Sequence, residues 1–243
     1  VKSTTSLILT PYNGNQLKIN GIRYPLPAAG VELPTTSLTS ATTYNVYAFV
    51  SAVSVVTLEA TVSAHATDTA AGNIGVEIKS GDASRTLVGQ IRLNASVQFS
   101  AAVNQRFTLS WFNRRSRRGR SAFGADRSTT SSTFVQMNTD AERMEWLTWG
   151  TEPDMLGWQG YEYGTINTTL FARLYVDGAE ASPGWAERMT AESQPFGIGL
   201  YAVILSSEGY HYLDLYGRNS SGGSTAAWSS DVGGGFQAVL SPG

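Results

Sequence analysis

The chain has 243 residues, of which 42% are hydrophobic and only 15% are charged, and its formal net charge is −2. The length allows one large domain or two smaller ones with a substantial core, and the apolar content excludes a disordered chain. A charge so close to neutral argues against a surface built for nucleic acid, and the lack of cysteine excludes disulfide frameworks and thiolate metal sites.

The first part of the chain reads as a succession of short strands. Predicted strands at 6–10, 16–19 and 22–24 are separated by two Asn-Gly pairs, at 13–14 and 20–21, which supply the positive φ of tight turns. The simplest interpretation is a β-meander within a barrel-like all-β domain over residues 1–112. Further strands are predicted from their β-branched and aromatic content at 43–50, 55–60, 75–79, 86–92 and 106–112.

Arginines are concentrated between this region and the next. Six of them fall within residues 111–127, between two weakly charged regions. Guanidinium groups repel one another and cannot be buried unpaired. We therefore predict a solvated linker at 113–131, or a surface that docks on acidic partners, including copies of the same chain. The candidate subunit-interface residues are Arg114, Arg115, Arg117, Arg118 and Arg120.

The second part, 132–243, again predicts strands, and their number and spacing favour a β-sandwich of jelly-roll type. Residues 158–164 read as an aromatic, turn-rich span, Asp177-Gly178 as a tight turn, and 183–190 as a segment without alternation that suits a short helix. The predicted strands are 132–137, 144–149, 168–176, 196–205, 210–216 and 236–240. The fold class predicted for the whole chain is thus all-β, with two domains.

Residues that could carry catalysis are few. Neither His65 nor His211 stands near a Gly-x-Ser-x-Gly motif that would place a nucleophilic serine. Paired carboxylates could in principle hydrolyse glycosides, but surface acids of this kind occur in most β-proteins. The pairs are Glu142/Glu145, Glu152/Asp154 and Asp177/Glu180. We predict no catalytic residue, no metal site and no cofactor.

Aromatic residues are dense near the middle of the second part, where exposed rings could stack on sugars. Trp158, Tyr161 and Tyr163 are the candidates for binding a receptor or glycan. The alternative is that such rings, Trp146 and Trp149 included, pack in the core or between subunits. The longest apolar stretches, 44–56 and 196–205, are too short and interrupted to span a bilayer, and no secretion signal opens the chain. We expect no membrane insertion.

Nine short segments, in collinear order between residues 5 and 115, resemble a family of tailed-bacteriophage virion proteins. LTWG at 147–150 and EGYHY at 208–212 extend the resemblance loosely into the second part. The nine segments are PYNGN at 11–15, ING at 19–21, AGV at 29–31, YNVYA at 44–48, LEA at 58–60, HATD at 65–68, IKSGD at 78–82, RTLVG at 85–89 and SWFNRR at 110–115.

The resemblance implies a β-rich, oligomeric and trimeric component of the virion, assembled in the bacterial cytoplasm and without enzymatic activity. Its expected partners are copies of itself, other tail or capsid proteins and a glycan of the host surface; nucleic acid is not expected. The leading hypothesis is a tail-fibre or appendage protein that contributes to attachment. A capsid decoration or head-fibre protein, and a glycan-binding or glycan-degrading tail spike, remain alternatives.

Overall fold

The computed structural model describes residues 1–51, 55–183, 185–188, 195–220, 226–229 and 234–242. It confirms an all-β fold, and the regular helical structure of the described residues is a 3-10 turn at Asp140–Glu142. The first twelve strands are β1 Ser6–Leu9, β2 Gln16–Ile19, β3 Ile22–Pro25, β4 Val31–Pro34, β5 Thr43–Val50, β6 Val56–Thr61, β7 His65–Thr67, β8 Glu77–Lys79, β9 Asp82–Arg92, β10 Ala101–Ala102, β11 Gln105–Arg106 and β12 Thr108–Ser110. The other twelve are β13 Arg117–Ala122, β14 Arg127–Thr129, β15 Val135–Gln136, β16 Met144–Thr148, β17 Asp154–Gly164, β18 Thr169–Val176, β19 Ala179–Glu180, β20 Trp185–Arg188, β21 Phe196–Ile204, β22 Gly209–Asn219, β23 Ala226–Ser229 and β24 Gly235–Leu240.

The chain divides into two compact units. The first contains residues 1–101 and 107–115, and the second contains 102–106 and 116–242. The first unit is built on an antiparallel sheet ordered β6-β5-β9-β8-β7, with β12 also paired to β9. Alternate side chains of its strands bury a core that includes Leu17, Ile19, Val46, Leu58, Val88 and Ile91.

The predicted meander of the first three strands is wrong. Strand β1 pairs with β4, from Ser6 opposite Pro34 to Leu9 opposite Val31, while β2 and β3 form a separate hairpin. The hairpin turn is the predicted Asn20-Gly21 pair, with φ of 48° and 78°. The other Asn-Gly pair lies within the connection 10–15, which contains Pro11 and leads the chain away from β1 instead of folding it back.

The second unit is a sandwich of two sheets around one core. One sheet contains the run β11-β16-β22-β18-β19, and the other the run β13-β24-β17-β23-β14, with β21 on the opposite edge of β17. Side chains from both sheets meet in a single apolar cluster. It includes Met144, Trp146, Leu156, Trp158, Leu174, Leu200, Leu215, Trp228 and Phe236.

The predicted linker at 113–131 differs from the structure, because it contains two strands. Strand β13 pairs with β24, from Arg117 opposite Leu240 to Ala122 opposite Gly235, and β14 pairs with β23. In β13 the arginines alternate with small residues: Arg118 and Arg120 are exposed, whereas Gly119 and Ser121 are buried. A period of two suits a sheet that is solvated on one side, and like charges that point into water need no burial.

Two further local predictions were wrong. The span 158–164 is not a set of turns but part of β17, the central strand of its sheet. Gly160 lies beneath an aromatic ring, since a Cβ there would stand 2.4 Å from the Trp158 ring. The predicted helix at 183–190 contains the strand β20, which pairs with β18; residues 184 and 189–190 lie outside the described part.

Candidate functional site

The outer side of the second sheet carries apolar side chains that no described residue covers. Met155 on β17 lies opposite Val239 of β24 and Val203 of β21, and these three side chains are 56%, 48% and 65% exposed. Tyr201, two residues before Val203, is 62% exposed. We call these four residues, Met155, Tyr201, Val203 and Val239, the apolar face. Exposed apolar groups that lie side by side are characteristic of an interaction surface.

Tyr201 is held along the sheet by its neighbours. It lies opposite Gly157, and a Cβ on Gly157 would stand 3.0 Å from the Tyr201 ring. The side-chain amide of Gln159 donates a hydrogen bond of 2.6 Å to the Tyr201 hydroxyl, and Gln237 donates one of 3.2 Å to Gln159. The ring is thus fixed before any partner arrives, which reduces the entropy lost on binding.

Two arginines border the apolar face on β13. Arg118 lies opposite Val239, and Arg120 opposite Gln237. Neither side chain forms an ion pair or hydrogen bond with a residue of the described ranges, so both guanidinium groups are available to a partner's carboxylates. We call Arg118 and Arg120 the arginine rim. Face and rim together line a cleft of about 650 Å³, with Val103, Gly157 and Gln237.

The five arginines predicted at an interface do not form one set. Arg117 donates a hydrogen bond of 2.7 Å to the carbonyl of Leu147, and burial lowers its pKa to about 10. Arg114 and Arg115 belong to the first unit. Of the predicted residues, Arg118 and Arg120 stand on the candidate surface, and strand alternation separates them from Arg117.

The predicted aromatic site is also divided, and for Trp158 the prediction was wrong. Its side chain is fully buried in the core, 5.9 Å from the Phe123 ring, so no sugar can stack on it. Tyr161 and Tyr163, at odd positions of β17, are partly exposed on the other side of the sheet. The hydroxyl of Tyr163 donates a hydrogen bond of 2.9 Å to Asp126.

Strand β21 forms one edge of the second sheet. Within the described ranges it pairs with β17 alone, in continuous register from Phe196 to Ile204. Its sequence, FGIGLYAVI, contains no charge and no proline. Natural edge strands usually carry such features because a free edge is a template for another strand. This edge is therefore open to pairing in the described structure.

Both histidines have carboxylate partners. His211 Nδ1 lies 2.6 Å from Asp177, and Nε2 lies 2.8 Å from the carbonyl of Ser207. Burial lowers the pKa of His211, but the hydrogen bonds to these two acceptors outweigh it and raise the pKa above its usual value. His65 lies 2.6 Å from Glu77. In both cases an imidazole nitrogen lies within hydrogen-bond distance of a carboxylate.

Glu142, one of the paired acids considered above, is hydrogen-bonded to three other residues of the fold. It accepts hydrogen bonds from Arg127, at 2.6 Å, and from the backbone N–H groups of Gly124 and Thr139, at 2.6 and 2.8 Å. Burial would raise the pKa of Glu142, but these hydrogen bonds outweigh it and lower the pKa to about 2. The carboxylate therefore joins three chain segments as an anion.

Asp154 and Glu162 are buried carboxylates that accept hydrogen bonds from indole N–H groups. Trp146 donates to Asp154 at 2.8 Å, and Trp228 donates to Glu162 at 2.5 Å. Buried acids need such partners. Across the described ranges, no group of three His, Asp or Glu side chains is arranged to hold a metal ion, and no helix there is long and apolar enough to cross a membrane.

The sequence contained a signal for the apolar face. Residues 196–205 include no charged side chain, and the Tyr201 hydroxyl is their only polar side-chain group, so a strand formed from them has apolar residues on both sides. One side covers the core, through Ile198, Leu200 and Ala202, and the other exposes Tyr201 and Val203. Met155 and Val239 gave no comparable signal, because their neighbours in space are distant in sequence.

No protein-family model matches the chain, and no curated protein matches it. Among solved structures, the insecticidal delta-endotoxin Cry8Ea1 from Bacillus thuringiensis is similar over 98% of this chain and 51% of its own, with 7% identity and a TM-score of 0.36. A sugar-binding protein, the EclA C-terminal domain, has 12% identity and a TM-score of 0.24 over 46% of this chain and 74% of its own. The structure of infectious bursal disease virus, Gx strain, is similar over 99% of this chain and 79% of its own, with 14% identity and a TM-score of 0.31. The chain spans about half the length of the toxin, and TM-scores this low support no assignment of function.

Proposed function

We propose that this protein is a non-enzymatic structural subunit of a tailed-phage virion, which assembles with other protein chains through the second unit. The observation that carries the proposal is the apolar face with its arginine rim. Four exposed apolar side chains, Met155, Tyr201, Val203 and Val239, lie beside two guanidinium groups without ion-pair partners in the described structure. Tyr, Met and Arg are the residue types enriched at protein interfaces.

The chemistry of this surface favours a protein partner over a sugar. Aliphatic side chains such as those of Val203 and Val239 have no ring on which a sugar could stack, but each gives roughly 1.5–3 kcal/mol when a partner buries it fully. Arg118 and Arg120 form strong hydrogen bonds with carboxylates, often in bidentate geometry. The expected partner surface is therefore apolar at its centre and acidic on the side that meets the rim.

Self-association is supported by the edge of β21. An antiparallel pair about a two-fold axis at Leu200 would place Tyr201 opposite Gly199 of the second copy, and Val203 opposite its Gly197. Tyr201 and Val203 would then each face a glycine, and no like charges would meet. A two-fold contact of this kind is self-complementary. It differs from the trimer that the family resemblance implies, and the mass of the assembly distinguishes the two.

The virion assignment is supported by the collinear segments within residues 5–115, from PYNGN at 11–15 to SWFNRR at 110–115. A tail-fibre or appendage protein is the form we propose, with a capsid decoration or head-fibre protein as the alternative. Release of reducing ends from a host polysaccharide would contradict the non-enzymatic proposal and indicate a glycan-degrading spike.

The test uses fluorescently labelled full-length protein added to intact and tail-stripped particles of the phage that encodes it. Met155→Asp with Val239→Asp should abolish binding, because two carboxylates replace apolar contacts. Arg118→Met with Arg120→Met should weaken it at least tenfold. The matched control is Val62→Asp, since Val62 is 70% exposed and lies in the first unit.

Binding to intact particles alone supports the tail location, and binding to tail-stripped particles supports decoration. Wild-type binding by the double aspartate variant, or no binding by the wild-type protein, would contradict the proposal.

A further inference from the structure

The first unit contains a small cleft lined by aromatic and amide side chains. Its volume is about 240 Å³, and it lies between the connection that follows β1 and the residues that follow β12. Tyr12 and Phe112, which are 44% and 51% exposed, both line it. Two aromatic rings at one opening offer flat apolar surfaces beside water, which is the arrangement that stacks on a pyranose ring.

An arginine is fixed beside one of these rings. The guanidinium carbon of Arg115 lies 5.1 Å from the centroid of the Tyr12 ring, and Arg115 also donates a hydrogen bond to the Tyr12 hydroxyl. The cation–π contact and the hydrogen bond hold the side chain in place. A guanidinium has five N–H donors, so Arg115 can bind a carboxylate while it keeps its contact with Tyr12.

Three amide side chains also line the cleft, together with apolar residues that include Leu9, Leu17 and Leu26. Asn13, Gln16 and Asn113 all contribute to it, and their side chains form no hydrogen bond with another residue in the described part of the chain. Each amide has a C=O acceptor and an NH₂ donor. A sugar hydroxyl also donates and accepts, so these groups can replace the water that a bound sugar would lose.

We propose that this cleft binds an acidic saccharide, with the sugar ring against Tyr12 or Phe112 and its carboxylate on Arg115. The volume of the cleft is smaller than the roughly 300–1,000 Å³ of sites that bind drug-sized ligands. The cleft therefore suits a single terminal sugar unit. Single-stranded nucleic acid fits less well, because it needs an extended basic groove with successive stacking rings. The assignment is independent of the proposed assembly role, which involves other residues.

The test measures binding to the full-length protein by isothermal titration calorimetry, with two acidic probes, digalacturonic acid and N-acetylneuraminic acid. The control for each probe is its methyl ester, which keeps the ring and removes the charge. We expect one acidic probe to bind at least tenfold more tightly than its ester. Arg115→Met should weaken that binding at least tenfold, and Phe112→Ala or Tyr12→Ala should weaken it as well.

The control variants are Arg114→Met, a neighbouring arginine that stacks on Trp111 at 4.0 Å, and Tyr201→Ala in the second unit. Both should bind the acidic probe as the wild type does. Urea unfolding curves verify that each variant is folded, and the exposure of Tyr12 and Phe112 makes their substitution mild. Equal affinity for acid and ester, unchanged binding by Arg115→Met, or no binding of either acidic probe would overturn the assignment.

Discussion

The indole of Trp158 lies across Gly160, two residues further along the same strand. A Cβ on Gly160 would stand 2.4 Å from Cη2 of the ring, which is closer than any real contact. The indole of Trp228 on β23 also lies across a glycine, Gly217 on β22 of the other sheet, where the distance would be 2.2 Å. Both tryptophans are fully buried. The glycines therefore provide the space that two of the three buried indole rings need within the core of the second unit.

Gly160→Ala should destabilise the protein. The added methyl group must displace the Trp158 ring or the strand, and overpacking of this kind costs roughly 1–3 kcal/mol. The matched control is Gly197→Ala, because a Cβ there would meet only Tyr161, at 3.9 Å; it should change the free energy of unfolding by less than roughly 0.5 kcal/mol. Urea unfolding followed by far-UV circular dichroism measures both. Equal stability of the two variants would contradict the packing argument.

His211 should make stability depend on pH near neutrality. Its pKa is raised in the folded protein, so the imidazolium contributes fully below the unfolded pKa of about 6.5, and its contribution is lost as pH rises through the folded pKa. His211→Gln should remove this loss, and so should Asp177→Asn, which removes the negative charge of the carboxylate 2.6 Å away. Thermal unfolding midpoints between about pH 5 and 9 provide the measurement, and the double variant should add no further change. An unchanged pH profile in His211→Gln would contradict the assignment.

Glu142 should contribute to acid unfolding. Its pKa is about 2 in the folded protein, whereas an unfolded glutamate has a pKa of about 4.3. The stabilisation is therefore complete above the unfolded value and is lost as pH falls through the folded one. Glu142→Gln should lower the free energy of unfolding by roughly 1–3 kcal/mol at pH 7, and the difference should shrink towards pH 2. Glu152→Gln, an exposed control in the same unit, should match the wild type at both pH values.

Cysteine cross-linking should reveal the proposed pairing of β21 with its copy. The chain contains no cysteine, so each introduced thiol is unique. A mixture of Gly197→Cys and Val203→Cys chains should form a disulfide-linked dimer on mild oxidation, because these positions face each other when the two-fold axis passes through Leu200. Residues directly opposite have Cβ atoms about 4.5–5.5 Å apart, within reach after small adjustments.

The control for this experiment is a mixture of Gly197→Cys and Met155→Cys chains, since Met155 is 56% exposed, against 65% for Val203, but lies on the neighbouring strand. It should cross-link far less. Light scattering of the untreated wild-type protein should give the mass of two chains. A monomer, or a trimer without the 197–203 link, would contradict the two-fold pairing and leave binding of the apolar face to the virion as a separate question.

Much of the strand inventory followed from the sequence alone. Runs rich in Val, Tyr and Thr, such as Thr43–Val50 and Thr169–Val176, favour strands because branched and aromatic side chains fit a pleated surface. The turns at Asn20-Gly21 and Asp177-Gly178 were predictable because both have positive φ at their two central residues, which these residue types tolerate. These properties are local and need no knowledge of distant partners.

The tertiary structure decided which strands pair and which side of each strand faces water. Gly160 looks like a turn residue in the sequence, but it belongs to a central strand, where the ring of Trp158 lies against it. Arg118 and Arg120 look like a linker, but they pair with Val239 and Gln237 more than a hundred residues later. Met155 becomes part of a surface only through its neighbours on β21 and β24. The periodicity of the sequence specifies that successive side chains of a strand point to opposite sides of the sheet. Which side is buried depends on the packing of apolar surface between residues distant in sequence, and no local pattern contains that information.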